Sequence, residues 1–202
     1  MNVPPDPHYS NPMPAVRSAP REVVAELADG PLRFDTDRGV FSHGRLDSGT
    51  EVLLGAAGPL PESGDLLDLG CGAGPLALTM ARRRPGSTVW AVDINERAVE
   101  RCAANAARLG LSNVRAVVPD GVPDEVRFAA IWSNPPIRIG KPALHELLTR
   151  WLGRLAPEGV AHLVVHKHLG SDSLARWLES EGWTVRRVAS RGGYRLLDVA
   201  AS

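Results

Sequence analysis

Asp65-Leu66-Leu67-Asp68-Leu69-Gly70-Cys71-Gly72-Ala73-Gly74-Pro75 is the stretch that decides the fold. A short apolar run passes directly into three alternating glycines, and a proline stands immediately after the last of them. The run predicts a buried strand over 65–69. Pro75 predicts a helix over 75–84, because a missing N–H costs nothing in the first turn. Glycines at 70, 72 and 74 permit a tight turn and let a ligand press against the backbone. Glycines also end strands for structural reasons alone, so the spacing has to discriminate. A dinucleotide fingerprint, GxGxxG, needs its third glycine at position 75, where this chain has proline, so a pyrophosphate is not the favoured ligand.

Downstream, strands and helices alternate. Ser87–Ile94 reads as a second strand. Asn95 then serves as an N-cap, with Val99, Cys102, Ala106 and Leu109 at helical spacing until Gly110. Further strands are predicted at 114–118, 128–133 and 159–166, with helices over 143–155 and 171–181. Segments 184–189 and 194–200, parted by Arg191-Gly192-Gly193, read as an antiparallel hairpin. The order implies an α/β fold: a mostly parallel seven-stranded sheet with helices on both faces and a C-terminal antiparallel hairpin. Ligands of such sheets bind at the carboxyl ends of the strands, where strand order reverses.

Upstream the pattern is weaker. Residues 1–20 are Pro-rich, 21–28 (REVVAELA) carry a helical pattern, and a turn-rich stretch comes next. We therefore divide the chain into an N-terminal extension and cover over 1–60 and the α/β domain over 61–202, together one structural unit.

The 202 residues carry 23 Lys+Arg against 23 Asp+Glu, with 44% hydrophobic and 23% charged residues. This composition excludes disorder as the main state and argues against bulk charge as a means of holding nucleic acid. Prolines at 4, 5, 7, 12 and 14 break any signal-like apolar run, and no later stretch approaches the roughly 20 apolar residues of a membrane helix. Cys71 and Cys102 form no metal-binding pattern, so reduced thiols in a cytoplasmic protein are expected. His166 and His168 have ligand-like spacing without a third partner, so no metal is expected.

Three positions after strands carry chemistry. Asp93 ends the second strand, 93 − 74 = 19 residues beyond the last glycine, where a carboxylate can accept from both hydroxyls of a ribose; it can also serve as a helix N-terminal charge. Asp120-Gly121 closes the third strand, where an acid can meet an adenine amino group, although Asp-Gly is also a turn pair. Ser133-Asn134-Pro135-Pro136-Ile137 comes after the fourth. Its prolines freeze the loop, which presents the Asn134 amide oxygen and the Pro135 carbonyl as fixed acceptors. Such acceptors suit a planar exocyclic amine. Hydrogen bonds from its N–H groups localise the nitrogen lone pair toward an incoming methyl, by positioning and preorganised dipoles. Arg138 and Lys141 come directly afterwards and can hold a phosphate beside the target or remain solvated loop charges.

DLGCGAG, Asp93 and NPP together resemble the Rossmann-like S-adenosylmethionine-dependent methyltransferases, and more narrowly the methyltransferase small domain family. The similarity extends over HYS (8–10), FDTDRGVFSHGRLDSGT (34–50), NPPIRIGKPALHELL (134–148) and GGYRLL (192–197). It implies S-adenosylmethionine as cofactor, held by Asp68, Gly70, Cys71, Gly72, Gly74, Asp93, Ile94, Asp120, Gly121, Asn134 and Thr50. It makes Asn134, Pro135 and Pro136 the catalytic motif, with Phe41, Ile137, Arg138 and Lys141 toward the substrate. The family usually has an aromatic residue where this chain has Ile137, so base stacking would fall to Phe41, Tyr9 or Trp132, or be weaker. The implied activity is methylation of an exocyclic amine, guanine N2 of small-subunit ribosomal RNA, with that RNA or an assembly intermediate as partner. Alternatives are a protein side-chain amide, a small-molecule amine, or a non-catalytic cofactor-binding module. The sequence leaves monomer or homodimer open. Arg186, Arg187, Arg191 and Arg195 around the last hairpin form a further cluster for RNA, or a charge run guarding an edge.

Overall fold

A computed structural model of the chain describes residues 16–42 and 44–202, so Tyr9 and the HYS segment lie outside the described residues. The elements in chain order are β1 (Arg21–Ala25), β2 (Leu32–Thr36), α1 (Ser48–Ala56), β3 (Asp65–Leu69), α2 (Pro75–Arg83), β4 (Val89–Val92) and α3 (Glu96–Arg108). They continue as β5 (Val114–Val117), β6 (Phe128–Ser133), α4 (Lys141–Leu152), β7 (Leu155–His166), α5 (Ser171–Ser180), β8 (Trp183–Arg191) and β9 (Tyr194–Ala201).

β3 to β9 form the seven-stranded sheet in the order β5-β4-β3-β6-β7-β9-β8. The pairs β3–β4, β4–β5, β3–β6 and β6–β7 are parallel, whereas β9 runs antiparallel to both β7 and β8. The chain builds outward from β3 to β5, then returns to lay β6 on the other side of β3. The order thus reverses between β3 and β6, which opens a crevice at their carboxyl ends. One face buries Leu53, Leu76, Met80, Cys102, Trp132 and Val164 under α1, α2 and α3. The opposite face buries Leu67, Ile131, Leu148, Trp151, Leu163 and Leu178 under α4 and α5.

The N-terminal region departs from the sequence reading. Residues 21–25 are a strand, not the start of a helix, and pair antiparallel with 32–36. The burial is two-periodic: Val23 and Ala25 face in, whereas Val24 is 40% exposed, so the β-branched pair fits a pleat and not a helical stripe. Gly30, at φ 102, closes the turn between the strands. The turn-rich stretch after β2 also contains α1, whose N-cap Asp47 accepts from the Gly49 and Thr50 amides. At the other end of the domain, α4 stops at Leu152, three residues before the predicted end at 155, and β7 begins at Leu155.

Polar staples fix this N-terminal hairpin to the sheet's helices. Asn105 of α3 accepts from the Asp35 amide at 2.9 Å and donates to the carbonyls of Asp35 and Ala73. The buried Asp37 accepts from Ser18 Oγ, the Ala19 and Arg38 amides and the Arg101 guanidinium. Burial alone would raise this carboxyl; those four donors outweigh it and hold it below the ordinary value.

Candidate active site

The glycine turn is shaped by hydrogen bonds on both sides. The Gly70 and Cys71 amides donate to the Val92 carbonyl at 2.8 and 3.0 Å, which ties the end of β3 to the end of β4. Gly70, Gly72 and Gly74 all have positive φ. At Gly74 a Cβ would stand 2.5 Å from Cys102 Sγ, so only glycine lets α2 and α3 approach this closely. Gly74 is also the N-cap of α2 and has no side chain to cap with. Asp68 takes that role from the strand below, its Oδ2 accepting from the Ala77 amide at 2.9 Å. Its other oxygen is buried and has no partner among the described residues. Burial, reinforced by the Asp93 charge, pushes the Asp68 carboxyl up to about 8 against the opposing Ala77 N–H.

Asp93 lies just past β4 and faces the turn. One oxygen accepts from the Gly72 amide at 2.9 Å, the other from the Asn95 amide at 2.9 Å. A carboxylate has about four lone-pair sites, and with the Ile94 amide as a third donor one remains for a ligand. Burial raises this carboxyl despite the Asn95, Gly72 and Ile94 N–H groups. Asn95 caps α3 as predicted, and its Nδ2 donates to the Gly39 carbonyl at 2.7 Å, which draws the N-terminal cover over the turn.

Two cavities meet here. A cleft of about 30 Å³ lies between Phe41 and the turn, lined by Gly70, Cys71, Gly72, Thr50 and Asn134. A larger cavity of about 840 Å³ is walled by Asp93, Asn134, Pro135, Pro136, Ile137 and Arg138 on one side, and by Phe41, Arg45 and Asp47 on the other. His166 and Tyr194 complete it, their rings edge-to-face with centroids 4.8 Å apart.

The Asn-Pro-Pro loop has an internal lock. The Ile137 amide donates to the Pro135 carbonyl at 2.8 Å across Pro136, whose φ −75° and ψ 72° are those of an inverse γ-turn. The Pro135 carbonyl, expected as a free acceptor, therefore has one lone pair already engaged. Asn134 Nδ2 donates to Asp47 Oδ2 at 2.7 Å and lies 3.4 Å from Thr50 Oγ1. Asp47, being acceptor-only, can face only the NH₂ end of the amide. Asn134 Oδ1 thus points away from Asp47 and makes no hydrogen bond among the described residues.

Of the predicted site residues, the fold brings Phe41, Thr50, Gly70, Cys71, Gly72, Asp93, Asn134, Pro135, Pro136, Ile137 and Arg138 onto the walls of these two cavities. Asp68 and Gly74 lie beneath the turn as supports. Ile94, Asp120, Gly121 and Lys141 line neither cavity. Asp120 is exposed and pairs with Arg150 at 3.0 Å. Gly121 packs where a Cβ would meet Val117 at 2.9 Å, and Lys141 opens α4. Trp132 is fully buried, which removes it as a stacking platform. Three of the four hairpin arginines are paired with carboxylates: Arg186 with Asp198, and Arg187 and Arg195 with the shared Asp172. Among the described residues there is no cluster of three or more candidate metal ligands, and no helix is long and apolar enough to cross a membrane.

Sequence reasoning missed Asp47, Arg45, His166 and Tyr194 as site residues. Arg45 and Arg138 are exposed at the cavity and have no carboxylate partner among the described residues. Tyr194 is held above the ordinary phenol value by burial and by the Asp47 charge, against the opposing Arg45 and Arg138, so its hydroxyl stays protonated near neutrality.

The model of the methyltransferase small domain matches residues 31–198. The chain belongs to the methyltransferase small domain family. Within that family it is 33% identical over 193 residues to the YbxB protein of Bacillus subtilis, covering 94% of this chain and 96% of that one. It is 40% identical over 182 residues to ribosomal RNA small subunit methyltransferase C of Pseudomonas aeruginosa, covering 87% of this chain and 53% of that protein. Among solved structures it resembles the T. thermophilus 16S rRNA N2 methyltransferase RsmC, determined with AdoMet and guanosine. The TM-score is 0.73 at 25% identity, over 94% of this chain and 52% of that one. The chain thus spans about half the length of the methyltransferase C proteins it matches. Its architecture is the S-adenosylmethionine-dependent methyltransferase fold.

Proposed function

We propose that this chain transfers a methyl group from S-adenosylmethionine to an exocyclic amine, and that the amine is guanine N2 of small-subunit ribosomal RNA. The observation that carries the reading is the Asn134 amide. Its NH₂ is engaged on Asp47 and its Oδ1 is left as an acceptor at a large cavity.

The residues around the turn fit the cofactor. Gly70 has open space where a Cβ would stand, Asp93 keeps a lone pair for a ribose hydroxyl, and Asp68 has a buried oxygen with no partner among the described residues. Gly70 and Gly72 would hold the methionine end and Asp93 the ribose. Bound there, S-adenosylmethionine supplies a methyl on a positively charged sulfur that leaves as a neutral thioether.

The chain's own residues act on the amine. Asn134 Oδ1 accepts one N–H and draws the lone pair out of conjugation with the ring. The same dipole stabilises the positive charge that grows on nitrogen as the new C–N bond forms. No base is needed beforehand, since the proton becomes acidic only in the product and then passes to water. Phe41, Tyr194 and His166 provide the flat walls on which a base can stack, in place of the aromatic absent at Ile137. Arg45 and Arg138, which have no carboxylate partner among the described residues, suit flanking phosphates. The relatives named as small-subunit ribosomal RNA methyltransferases support this acceptor.

The test is incubation with methyl-labelled cofactor and separated small-subunit RNA, tRNA and protein fractions. Label is expected in the small-subunit RNA, recovered as N2-methylguanosine after digestion, and absent with Asn134→Ala. Label in protein alone overturns the acceptor.

A further inference from the structure

We propose that Asp47 is a positioning residue for methyl transfer: it fixes the orientation of the Asn134 amide so that only the oxygen can meet the acceptor amine. The inference rests on the reading of Asn134 as the amine's hydrogen-bond acceptor.

An asparagine amide has two ends of nearly equal shape and opposite hydrogen-bonding character. Rotated by half a turn, Asn134 would offer N–H to an N–H and repel the acceptor. A neutral neighbour with both donor and acceptor capacity would tolerate either orientation, whereas an ionised carboxylate tolerates one. Asp47 Oδ2 lies 2.7 Å from Asn134 Nδ2, a short charge-assisted contact. Thr50 Oγ1, at 3.4 Å, adds a weaker second acceptor.

Asp47 is itself held. The same Oδ2 accepts from the Gly49 amide at 2.8 Å and the Thr50 amide at 3.2 Å, as the N-cap of α1. The carboxylate is thus anchored to a helix end and cannot move with the amide if it turns. A separate observation supports a built contact. A Cβ on Gly49 would lie 2.9 Å from Asp47 Oδ2, 2.9 Å from Tyr194 Cε1 and 3.2 Å from Asn134 Nδ2. Position 49 therefore has no room for a side chain while the carboxylate, the amide and the tyrosine ring converge. The carboxylate also sits one amide behind the reacting nitrogen, where its charge polarises Asn134 and strengthens Oδ1 as an acceptor.

Helix capping and amide orientation can be separated by side-chain length. Asp47→Ser keeps a capping oxygen for α1 but is too short to hold Asn134 as well. Asp47→Asn keeps the reach and can keep an acceptor toward Asn134, without the charge. We expect Asp47→Ser to lower kcat roughly 10- to 100-fold, with cofactor affinity within about twofold of wild type, and Asp47→Asn to recover part of that loss. A purely structural role would instead move melting temperature and cofactor affinity together. The second readout needs no activity: the side-chain amide resonances of Asn134 should be distinct in wild type and move toward solvent-exposed values in Asp47→Ser. Wild-type kcat in Asp47→Ser, with Asn134→Ala inactive, overturns the positioning role alone. Full activity in Asn134→Ala overturns the reading of Asn134 and this inference with it.

Discussion

The two halves of the active site are assembled in different ways. The cofactor half, residues 68–74 with Asp93 and Asn95, is one strand-turn-helix joined to the next strand end. Its hydrogen bonds join backbone groups to one another, as from Gly70 and Cys71 to Val92, or to the side chains of Asp68, Asp93 and Asn95 within the same unit. The acceptor half draws on Phe41 and Asp47 before the sheet, Asn134 after β6, His166 at the end of β7 and Tyr194 at the start of β9. Its central contact, Asn134 to Asp47, spans 87 residues of chain. A turn whose shape is set by its own residues tolerates little change at single positions. A wall assembled from distant side chains distributes its binding over several of them.

The largest expected effect tests the first half of that contrast. Gly74→Ala would place a Cβ 2.5 Å from Cys102 Sγ on a backbone at φ 92°. Strain and overpacking together predict a loss of about 2–5 kcal/mol, read as a lower urea midpoint at unchanged slope. Cofactor affinity should fall as well, because the turn and the start of α2 move together. Stability near wild type would show that the turn adapts, and the contrast would fail.

A pair of substitutions then sharpens it. Asp93→Ala removes a carboxylate that accepts from Gly72 and faces the cavity. We expect cofactor affinity by calorimetry to fall roughly 10- to 100-fold, as for loss of charged hydrogen bonds, with acceptor KM nearly unchanged at saturating cofactor. Tyr194→Ala should do the reverse and less. Removing one of three aromatic walls is expected to raise acceptor KM about fivefold, at the low end for a base stacked on an aromatic ring. Cofactor affinity should stay the same. Equal effects of both variants on both constants would mean that the halves are not separable.

The same contrast explains how far the chain was legible as sequence. The limits of β3 and β6 are legible as observed, and those of every other main-sheet strand within four residues, because most are apolar runs bounded by glycine, proline or a cap and the last two are parted by Arg191-Gly192-Gly193. The glycine turn and Asn134 were legible because their chemistry is written in consecutive residues. Val23-Val24 misled because eight residues match a helical stripe and a pleat about equally well, and only the partner strand Leu32–Thr36 decides between them. Asp47 was hidden for a different reason: locally it is an ordinary helix cap, and its second bond depends on a loop 87 residues away. Tyr194 likewise reads as a hairpin residue until β9 inserts beside β7 and turns it toward the cavity. The hairpin arginines show the opposite case, since Asp172 and Asp198 come to pair with three of them only in the folded sheet.

The smallest expected effect concerns Asp68, the support beneath the cofactor half. Its carboxyl is pushed up to about 8, so at neutral pH the folded protein holds a proton there that the unfolded chain, near 4, has released. Where the folded state binds more protons, stability falls as pH rises. The contribution is fully present below about pH 4 and is lost progressively as pH rises through about 8. Asp68→Asn cannot ionise. At pH 6 it stands in for the neutral acid, and at pH 9 it escapes the cost of a buried anion. The melting temperature of wild type should therefore fall relative to that of Asp68→Asn as pH rises from 6 through about 8, and level off beyond it. A gap that stays constant would mean that Asp68 is already ionised at pH 6, held by the Ala77 amide and the end of α2, and that the turn rests on a charge and not on a buried neutral acid.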